Sequence, residues 1–349
     1  MSYEVVALPG DGIGREIVPA AVEVLRAATD ALEFEYHPFG EDSMDRYGEP
    51  LTPGVLHACR EADAVLFGAA GGSQWRPEDA DKSVQGLLTL RKEMGLYANL
   101  RPVRPHPALY EASPLRKELI AGTSLLIVRE LTGGIYFGDK GRDPETGRTW
   151  DECAYRSSEI ERIAHVAFRA ADRQVISIDY GDKLATSRLW REVVTEVGSQ
   201  YHKHLKHMEV TRECRSGAGP TAVRELINWP ARFDVILTEN MLGDILSDQA
   251  AMIGGSIGLL PSASVGEEGE VGLFEPVHGS APDIAGRGIA NPLATILSGA
   301  LLLRHLQRET EAEAVERAVD KALSEGLRTR DLGGTATTRE ATDAVLEHL

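Results

Sequence analysis

Short apolar runs and longer stretches with helical periodicity take turns along the first 70 residues of the chain. Short continuous apolar runs are typical of buried strands, whereas apolar residues spaced three and four apart are typical of amphipathic helices. The pattern predicts, in order, strand Tyr3–Leu8, helix Gly14–Asp30, strand Phe34–His37, helix Thr52–Cys59 and strand Ala64–Phe67. Strands that alternate with helices favour parallel pairing, and therefore a fold of the α/β class.

The rest of the chain carries further strand and helix patterns without an internal repeat or a low-complexity linker. The predicted extended pieces are Leu125–Val128, Gly134–Phe137, Thr149–Arg156, Val175–Ile178 and Val235–Leu237. The predicted helices are Ser158–Ala171, Leu184–Val197, Asn291–Leu306, Ala312–Leu323 and Arg339–Leu349. The sequence therefore marks no sharp domain boundary, and a domain built from both chain ends remains an open alternative.

Length and composition restrict the class of protein. At about 150 residues per domain, 349 residues predict two domains or one large one. Thirty-seven basic against 54 acidic residues give a net charge of −17, which argues against nonspecific binding to nucleic acids. No apolar run approaches the roughly 20 residues of a membrane span. Cys59, Cys153 and Cys214 are too scattered for a disulfide framework or a zinc set, so a reducing cytoplasm is expected.

The segment Pro9–Gly14, with the sequence PGDGIG, follows a predicted strand and opens a predicted helix. Backbone amides at such a place can bind an anion. The glycine spacing differs from the dinucleotide fingerprint, in which the third glycine comes three residues after the second. On spacing alone, a turn without a ligand is an equally good interpretation.

Four arginines occur before and within extended pieces: Arg91, Arg101, Arg104 and Arg129. Guanidinium groups bind carboxylates through two parallel hydrogen bonds, so three converging arginines would suit a dicarboxylate. An acidic protein that binds an anion needs such a local cluster. On spacing alone, a set of solvated arginines is the favoured alternative.

Asp244 and Asp248 follow the apolar run Val235–Leu237 and are four residues apart. On a helix this spacing puts both carboxylates on one face, where they repel each other unless a cation joins them. Oxygen ligands of this kind suit magnesium or manganese. A helix N-terminus also favours acidic residues through its dipole, which is the alternative explanation.

The segment Phe274–Asn291 is rich in glycine and proline and ends just before a predicted helix that starts at Pro292. Long loops inside compact domains are usually functional. Asp283 could receive ribose hydroxyl groups, as acidic residues do in other NAD sites.

Several motifs together resemble those of a known family, the isocitrate/isopropylmalate dehydrogenases, which are β-decarboxylating hydroxyacid dehydrogenases. The motifs are PGDGIG, GLLTLRK, ANLRP, RELTGGIYFG, PARFDVILTEN, GDILSD and EPVHGSAPDIAGRGIANP, and the likeness runs nearly end to end. RELTGGIYFG and the GGSQW stretch at residues 71–75 resemble the isopropylmalate branch. The resemblance implies a two-domain, non-Rossmann α/β fold, a homodimer, and NAD-dependent oxidative decarboxylation of 3-isopropylmalate to 4-methyl-2-oxopentanoate and CO₂ in leucine biosynthesis.

The resemblance also implies which residues do what. Residues 1–98 with 255–349 would form an NAD-binding domain, and residues 99–254 a second domain with substrate, metal and dimer contacts. Tyr136 would protonate the enol carbon after CO₂ leaves, and Asp244 with Asp248 would bind Mg²⁺ or Mn²⁺. Substrate contacts would come from Arg91, Arg101, Arg129, and from Leu87 and Leu88 beside the isopropyl group. NAD contacts would come from Ile13, His278, Gly279, Ser280, Ala281, Pro282, Asp283, Ile284 and Asn291.

The chain departs from the family where that family has a lysine that assists proton transfer. Tyr180 stands at the lysine position, and Lys183 follows three residues later. Spacing of three along a helix keeps a side chain on nearly the same face, so Lys183 is the candidate substitute. In addition, Val84 stands where the family usually has an acidic residue near the nicotinamide.

A second departure concerns a metal-binding aspartate of the family, because no aspartate occurs between Asp182 and Asp234. Thr211 or Pro220 falls at the expected position, depending on where a gap is placed, and Glu209 or Glu213 could supply the missing oxygen ligand. Residues 199–229 around it carry five basic and three acidic residues, so the net charge of this segment is positive whereas that of the whole chain is negative. Divergence, recombination and a local reading-frame disturbance all remain open as causes.

Three histidines of the same segment have the composition of a metal cluster: His202, His204 and His207. Neither a clear helix nor nearby cysteines or acidic residues support a cluster there, so a solvated basic segment is the favoured interpretation.

Two alternative functions stay open beside the implied one. One is oxidation of a related 2-hydroxy acid, such as tartrate, malate or homoisocitrate. The other is a catalytically impaired homologue that binds only a dinucleotide or an anion.

Overall fold

The computed structural model describes residues 2–72, 77–211 and 221–349, with the side chains of residues 77–81 and 182 left aside. The strands in these ranges are β1 (Tyr3–Gly10), β2 (Leu32–Tyr36), β3 (Ala64–Ala69), β4 (Ala98–Val103), β5 (Leu125–Glu130), β6 (Lys140–Arg142), β7 (Thr149–Asp151), β8 (Gln174–Asp179), β9 (His204–Glu209), β10 (Val235–Thr238), β11 (Pro261–Val265) and β12 (Gly272–Pro276). The helices are α1 (Gly14–Ala28), α2 (Glu41–Tyr47), α3 (Pro53–Glu61), α4 (Pro77–Glu93), α5 (Lys117–Ile120), α6 (Ser157–Ala170), α7 (Ala185–Gly198), α8 (Ala222–Asn228), α9 (Asn240–Gly254), α10 (Leu293–His305), α11 (Glu309–Ser324) and α12 (Thr338–Leu346). The predicted α/β class is confirmed. Among the helices of these ranges, none combines the length and apolarity needed to cross a bilayer.

Three predictions of local structure are wrong. Gly134–Phe137 is not extended: Gly134–Tyr136 forms a 3₁₀ turn, because Gly134 takes a φ of +73° and the Phe137 amide donates back to its carbonyl. Within Thr149–Arg156 only Thr149–Asp151 is a strand. The loop predicted to start at Phe274 starts after Pro276, since Phe274 still belongs to β12.

The chain divides into two compact units. The first comprises Met1–Leu96, His106–Pro114 and Gly254–Leu349, and the second Tyr97–Pro105 and Leu115–Ile253. The roles predicted for residues 1–98 with 255–349 and for residues 99–254, as NAD-binding and as substrate, metal and dimer domains, stay a prediction.

The sheet of the first unit places β1 between β2 and β3 in parallel, with β12 parallel beside β3 and β11 antiparallel at the far side. Helices α1, α10, α11 and α12 pack together, and α1 and α10 cover the strands. Val6, Leu8, Val65 and Phe67 form a second apolar layer with residues of α3 and α4. Every residue of β3 is buried, as expected for a parallel strand covered on both faces.

The sheet of the second unit has the order β4, β5, β10, β8, β9, in which only β4 is antiparallel to its neighbour. Helix α6 packs against β5, β10 and β8, and α7 packs against β8 and β9. Strands β6 and β7 form a separate antiparallel ribbon. The parallel strands end at one edge, where α/β proteins usually bind ligands, and Arg129, the start of α9 and Asp179 all lie there.

Candidate active site

Arg101 and Arg129 are buried side chains on neighbouring strands of the second unit. They lie on β4 and β5, with exposed fractions of 5% and 3%. A buried guanidinium group is stable only when its N–H groups have hydrogen-bond partners. The solvated alternative therefore does not apply to these two arginines.

The partners of Arg129 come from α9. Its Nε and Nη2 donate to Asn240 Oδ1 at 3.2 and 2.9 Å, and its Nη1 donates to Asp244 Oδ1 at 2.6 Å. Thr238 of β10 stands opposite Arg129 in the parallel register, so the helix that follows begins beside the guanidinium group. A side chain at Gly243 would overlap Arg129, which explains the glycine before Asp244.

Arg101 is held from both sides by polar side chains. Its Nε donates to Asn99 Oδ1 at 2.7 Å, and its Nη1 donates to Ser247 Oγ. The same Nη1 lies 3.6 Å from Asp244 Oδ1. Arg101 and Arg129 thus converge on one carboxylate.

Sequence reasoning missed Asn240, which fixes Arg129. Besides accepting from Arg129, its Nδ2 donates to the Gly133 carbonyl at 3.0 Å, and its backbone N–H donates to Tyr155 Oη at 3.0 Å. One amide therefore connects the guanidinium group with the glycine turn that carries Tyr136. The available signal was a polar residue placed two positions after a buried strand.

The Tyr136 side chain reaches the same carboxylate. Its hydroxyl donates to Asp244 Oδ2 at 3.2 Å, and the Arg129 guanidinium carbon lies 6.0 Å from its ring centroid. Burial, and next the Asp244 carboxylate, raise the pKa of Tyr136, while Arg129 opposes them. The phenol is therefore a proton donor at neutral pH.

Asp244 and Asp248 offer two carboxylates one helical turn apart on α9. Burial, followed by repulsion from Asp244, raises the pKa of Asp248, against the attraction of Arg101 and Arg129. Two hard oxygen donors fit part of a Mg²⁺ or Mn²⁺ coordination shell. In the described part of the chain, no group of three or more histidine, cysteine or acidic side chains could hold a metal.

Lys183 lies on the turn between β8 and α7. Gly181–Lys183 is a 3₁₀ turn, and the Lys183 Nζ stands 5.6 Å from the ring centroid of Tyr180. Residues three apart eclipse in such a turn, so both side chains lie on one side, although the turn is not α-helical as the spacing argument assumed. The turn is anchored by buried Asp179, which accepts from the Gly181 amide at 2.5 Å and from Arg191 Nε at 2.7 Å.

The basic segment begins as the edge strand β9. Glu209 stands opposite Asp179 in the parallel register, next to Gly181. His202 precedes the strand, and His204 and His207 lie on it, where His207 Nε2 is 2.9 Å from Thr195 Oγ1. Burial lowers the pKa of His207. Thr211 is described, whereas Glu213 and Pro220 lie outside the described residues.

All residues predicted to bind NAD except Ile13 form one loop of the first unit, between β12 and α10. The Ile13 amide donates to the Ser280 carbonyl at 2.9 Å, and a side chain at Gly12 would overlap that carbonyl. Ala281 takes the left-handed φ of +38°, a conformation that costs about 1–3 kcal/mol outside glycine and often marks ligand sites. Pro282, Asp283 and Gly279 are exposed, and Ile284 packs against Ile13.

The two ends of this loop are fixed by side-chain hydrogen bonds. Glu16 of α1 accepts from the amides of Gly286 and Gly288 at 2.6 and 2.8 Å. Asn291 donates to Asp331 at 2.9 Å and accepts from the Leu293 amide at the start of α10. At the other end, His278 Nδ1 lies 2.9 Å from the Gly279 carbonyl, and burial lowers the pKa of this histidine.

Asp11 lies in the middle of the PGDGIG turn, and sequence analysis assigned it no role. The carboxylate is fully buried and accepts from the Glu41 amide at 2.7 Å, from the Gly71 amide at 2.8 Å and from Ser83 Oγ. The turn therefore contains its own anion, which joins three segments of the first unit. Its missed signal was an acidic residue between two glycines.

Arg91 lies near the end of α4, in the first unit. Its Nη2 is 2.5 Å from Glu275 Oε1 of β12, and its buried Nε has no hydrogen-bond partner among the described residues. Leu87 and Leu88 are half-buried and lie four and three residues before Arg91, on the same face of α4. Val84 is exposed.

Comparisons with known proteins agree with this geometry. The profile of the isocitrate/isopropylmalate dehydrogenase family matches residues 4–345. The chain is 49% identical to 3-isopropylmalate dehydrogenase of Anaeromyxobacter dehalogenans over all of both chains, and 50% identical to that of Salinibacter ruber over 95% of this chain and 90% of the relative. Among solved structures it is similar to isocitrate dehydrogenase from Methylococcus capsulatus, at 30% identity and a TM-score of 0.87 over 99% of each chain. It also matches a β-decarboxylating dehydrogenase from Thermococcus kodakarensis, at 36% identity and a TM-score of 0.81 over 99% of this chain and 96% of the other.

Proposed function

The chain belongs to the isocitrate/isopropylmalate dehydrogenase family, and from this premise we propose that it oxidises and decarboxylates 3-isopropylmalate with NAD. The products are 4-methyl-2-oxopentanoate and CO₂. The reaction is a step of leucine biosynthesis, and we place it in the cytoplasm. The observation that carries the proposal is the meeting of buried Arg101 and Arg129 with Asp244 and the Tyr136 hydroxyl. That cluster combines carboxylate recognition with a proton donor.

Recognition of the substrate carboxylates falls to the arginines. Asn240 fixes the plane of Arg129, and Asn99 with Ser247 fixes that of Arg101, so both forks are preorganised for an incoming carboxylate. Arg91 is the third arginine, and in the structure its Nη2 pairs with Glu275. Leu87 and Leu88, on the same face of α4, are the residues we assign to the isopropyl group.

Proton transfer is assigned to Tyr136 and Lys183. After CO₂ leaves, the enol carbon takes a proton, and Tyr136 donates it from a hydroxyl oriented by Asp244. The raised pKa of Tyr136 keeps that proton in place at neutral pH. Lys183 is the group that we assign to accept the proton of the C2 hydroxyl, in place of the lysine that the family has at the position of Tyr180.

The cofactors contribute hydride acceptance by NAD and polarisation of the C2 oxygen by Mg²⁺ or Mn²⁺ when both are bound. We assign the cation to Asp244 and Asp248. The adenosine half of NAD is assigned to Ile13 and to the loop after β12, with Asp283 exposed for the ribose and with contacts from His278, Gly279, Ser280, Ala281, Pro282, Ile284 and Asn291.

A homodimer is the assembly we propose, with a shared site. Ile245, Asp248 and Met252 lie along one outer face of α9, and the exposed fractions of the two apolar side chains are 54% and 40%. Exposed apolar side chains on one face of a helix can mark a surface that a second chain covers. The turn with Tyr180 and Lys183 of one chain would then meet Tyr136 and Asp244 of the other.

The absorbance of NADH, followed with 3-isopropylmalate and Mn²⁺, tests the function. We expect kcat/KM for 3-isopropylmalate to exceed that for malate, tartrate and homoisocitrate. Equal turnover of malate would contradict the substrate, and the related 2-hydroxy acids would then be the better assignment.

One observation favours a second candidate, a catalytically impaired homologue: Tyr180 occupies the lysine position of the family. Absence of turnover with every hydroxy acid, together with measurable binding of NAD by calorimetry, would establish this candidate. Turnover at an ordinary enzymatic rate would exclude it.

A further inference from the structure

A cavity of about 370 Å³ opens in the first unit beside the PGDGIG turn. Its wall is formed by Pro9 and Gly10 at the end of β1, and by the segment 36–39 at the end of β2, with Arg15, Asp42 and Arg46 at its polar side. Ligand pockets of proteins are typically about 300–1,000 Å³ in volume. The carboxyl ends of parallel strands are their usual place in α/β sheets.

The lining combines an apolar wall with a cation. Pro38 is half-buried and the Tyr36 ring is exposed, whereas the Phe39 side chain lies in the core behind them. Arg15, on the first turn of α1, donates from Nε to the Gly10 carbonyl at 3.4 Å and has no ion pair with any described residue. Arg46 is already paired with Asp42 of its own helix. Arg15 therefore presents to the cavity a guanidinium group that no carboxylate of the described residues pairs.

Hydrogen bonds of the PGDGIG turn link the cavity wall to the loop assigned to NAD. Asp11 follows the cavity wall Pro9–Gly10, and its carboxylate accepts a hydrogen bond from the Glu41 amide at the start of α2, the helix that carries Asp42 and Arg46. Gly12, one residue further, touches the Ser280 carbonyl, and the Ile13 amide bonds to it. A ligand that separates or clamps the two walls must act on the turn on which Ser280 rests.

We propose that this cavity is an effector site for a small organic anion with an aromatic or apolar body and one phosphate or carboxylate group, and that its occupation stiffens the loop of residues 277–291. Arg15 binds the anionic group, and Tyr36 and Pro38 contact the body. The proposal rests on the proposed function only in that this loop is the one assigned to NAD.

Phenyl phosphate is the probe, and calorimetry with the full chain in the absence of NAD is the first measurement. We expect saturable binding in the millimolar range or tighter, weaker binding of inorganic phosphate and no binding of benzyl alcohol. Arg15→Gln should weaken the binding of phenyl phosphate about tenfold or more, because a charge-assisted hydrogen bond is lost. The matched control is Arg317→Gln, an exposed arginine of α11, which should bind as the native chain does.

Hydrogen exchange of peptides from residues 277–291 is the second measurement. Exchange should slow when phenyl phosphate is bound to the native chain, and should not change with Arg15→Gln. Absence of saturable binding, equal binding by Arg15→Gln, or equal affinity for inorganic phosphate would overturn the site. Binding without any change of exchange in the loop would overturn its role as an effector site. Neither measurement depends on turnover, so a failure here is distinguishable from a failure of the dehydrogenase assignment.

Discussion

At the scale of single residues, the site of the second unit is decided by polar groups that sequence patterns treat as ordinary. Asn240 and Ser247 have no motif of their own, yet they satisfy the buried guanidinium groups of Arg129 and Arg101. A buried charge without such partners is strongly destabilising. The arginines are therefore recognisable as a binding pair only once their burial and partners are known.

Replacing Arg101 or Arg129 with lysine should raise KM for the substrate about tenfold, because an ammonium group cannot reproduce the paired hydrogen bonds of a guanidinium group. Steady-state kinetics with 3-isopropylmalate measures the effect. Arg317→Lys is the control at an exposed position. Unchanged KM in both variants would show that neither arginine binds the substrate.

Tyr136→Phe should lower kcat by about 10²- to 10⁴-fold while KM changes little, since it removes a positioned proton donor. The donor must be protonated, and burial with Asp244 raises the pKa of Tyr136 above its usual value. The rate of the native chain should consequently show no loss due to Tyr136 until the pH passes above the ordinary range of a tyrosine hydroxyl. A kcat of Tyr136→Phe within twofold of the native value would remove Tyr136 from the mechanism.

At the scale of elements, the ends of the strands position the candidate catalytic side chains, and the turns orient them. β5 and β10 are parallel with Thr238 opposite Arg129, so α9 starts beside the guanidinium group. The sequence predicted both strands but placed Tyr136 on an extended piece, whereas a glycine with positive φ makes it a 3₁₀ turn. Such a turn aims the phenol at Asp244.

The connection between β8 and α7 gives a prediction of its own. If Lys183 replaces the lysine of the family, Lys183→Ala should lower kcat by about 10²-fold or more, and Tyr180→Lys should change it little. The kcat values of both variants and of the native chain, measured at saturating substrate, decide this. The opposite pattern, with Lys183→Ala unchanged and Tyr180→Lys a hundredfold faster, would mark the chain as an impaired member of its family.

At the scale of the whole molecule, two units built from interleaved segments bring distant parts of the chain together. In the first unit, Glu16 holds the amides of Gly286 and Gly288, and Arg91 pairs with Glu275. In the second, Arg101 and Asp244 approach across more than a hundred residues of chain. Because each unit is built from separate segments of the chain, no single boundary along the sequence divides them.

The oligomeric state is also a property of the whole molecule. The chain should be a dimer at micromolar concentration, and Met252→Glu should make it monomeric, because a charge buried without a partner costs several kcal/mol at an interface. Light scattering measures both. Tyr47→Glu, which changes an exposed aromatic residue of α2 in the first unit, should leave the dimer intact. A monomeric native chain would contradict the dimer.

The sequence by itself determined the α/β class, most strands and helices, and the family. These depend on local periodicity and on motifs that survive in one dimension, such as GDILSD and the loop before α10. What the tertiary structure decided was the state of individual groups: the burial of Arg101 and Arg129, the internal hydrogen bonds of Asp11, and the direction of Tyr136. Burial and partners depend on contacts between residues far apart in sequence, and no local pattern records which strand will lie beside which.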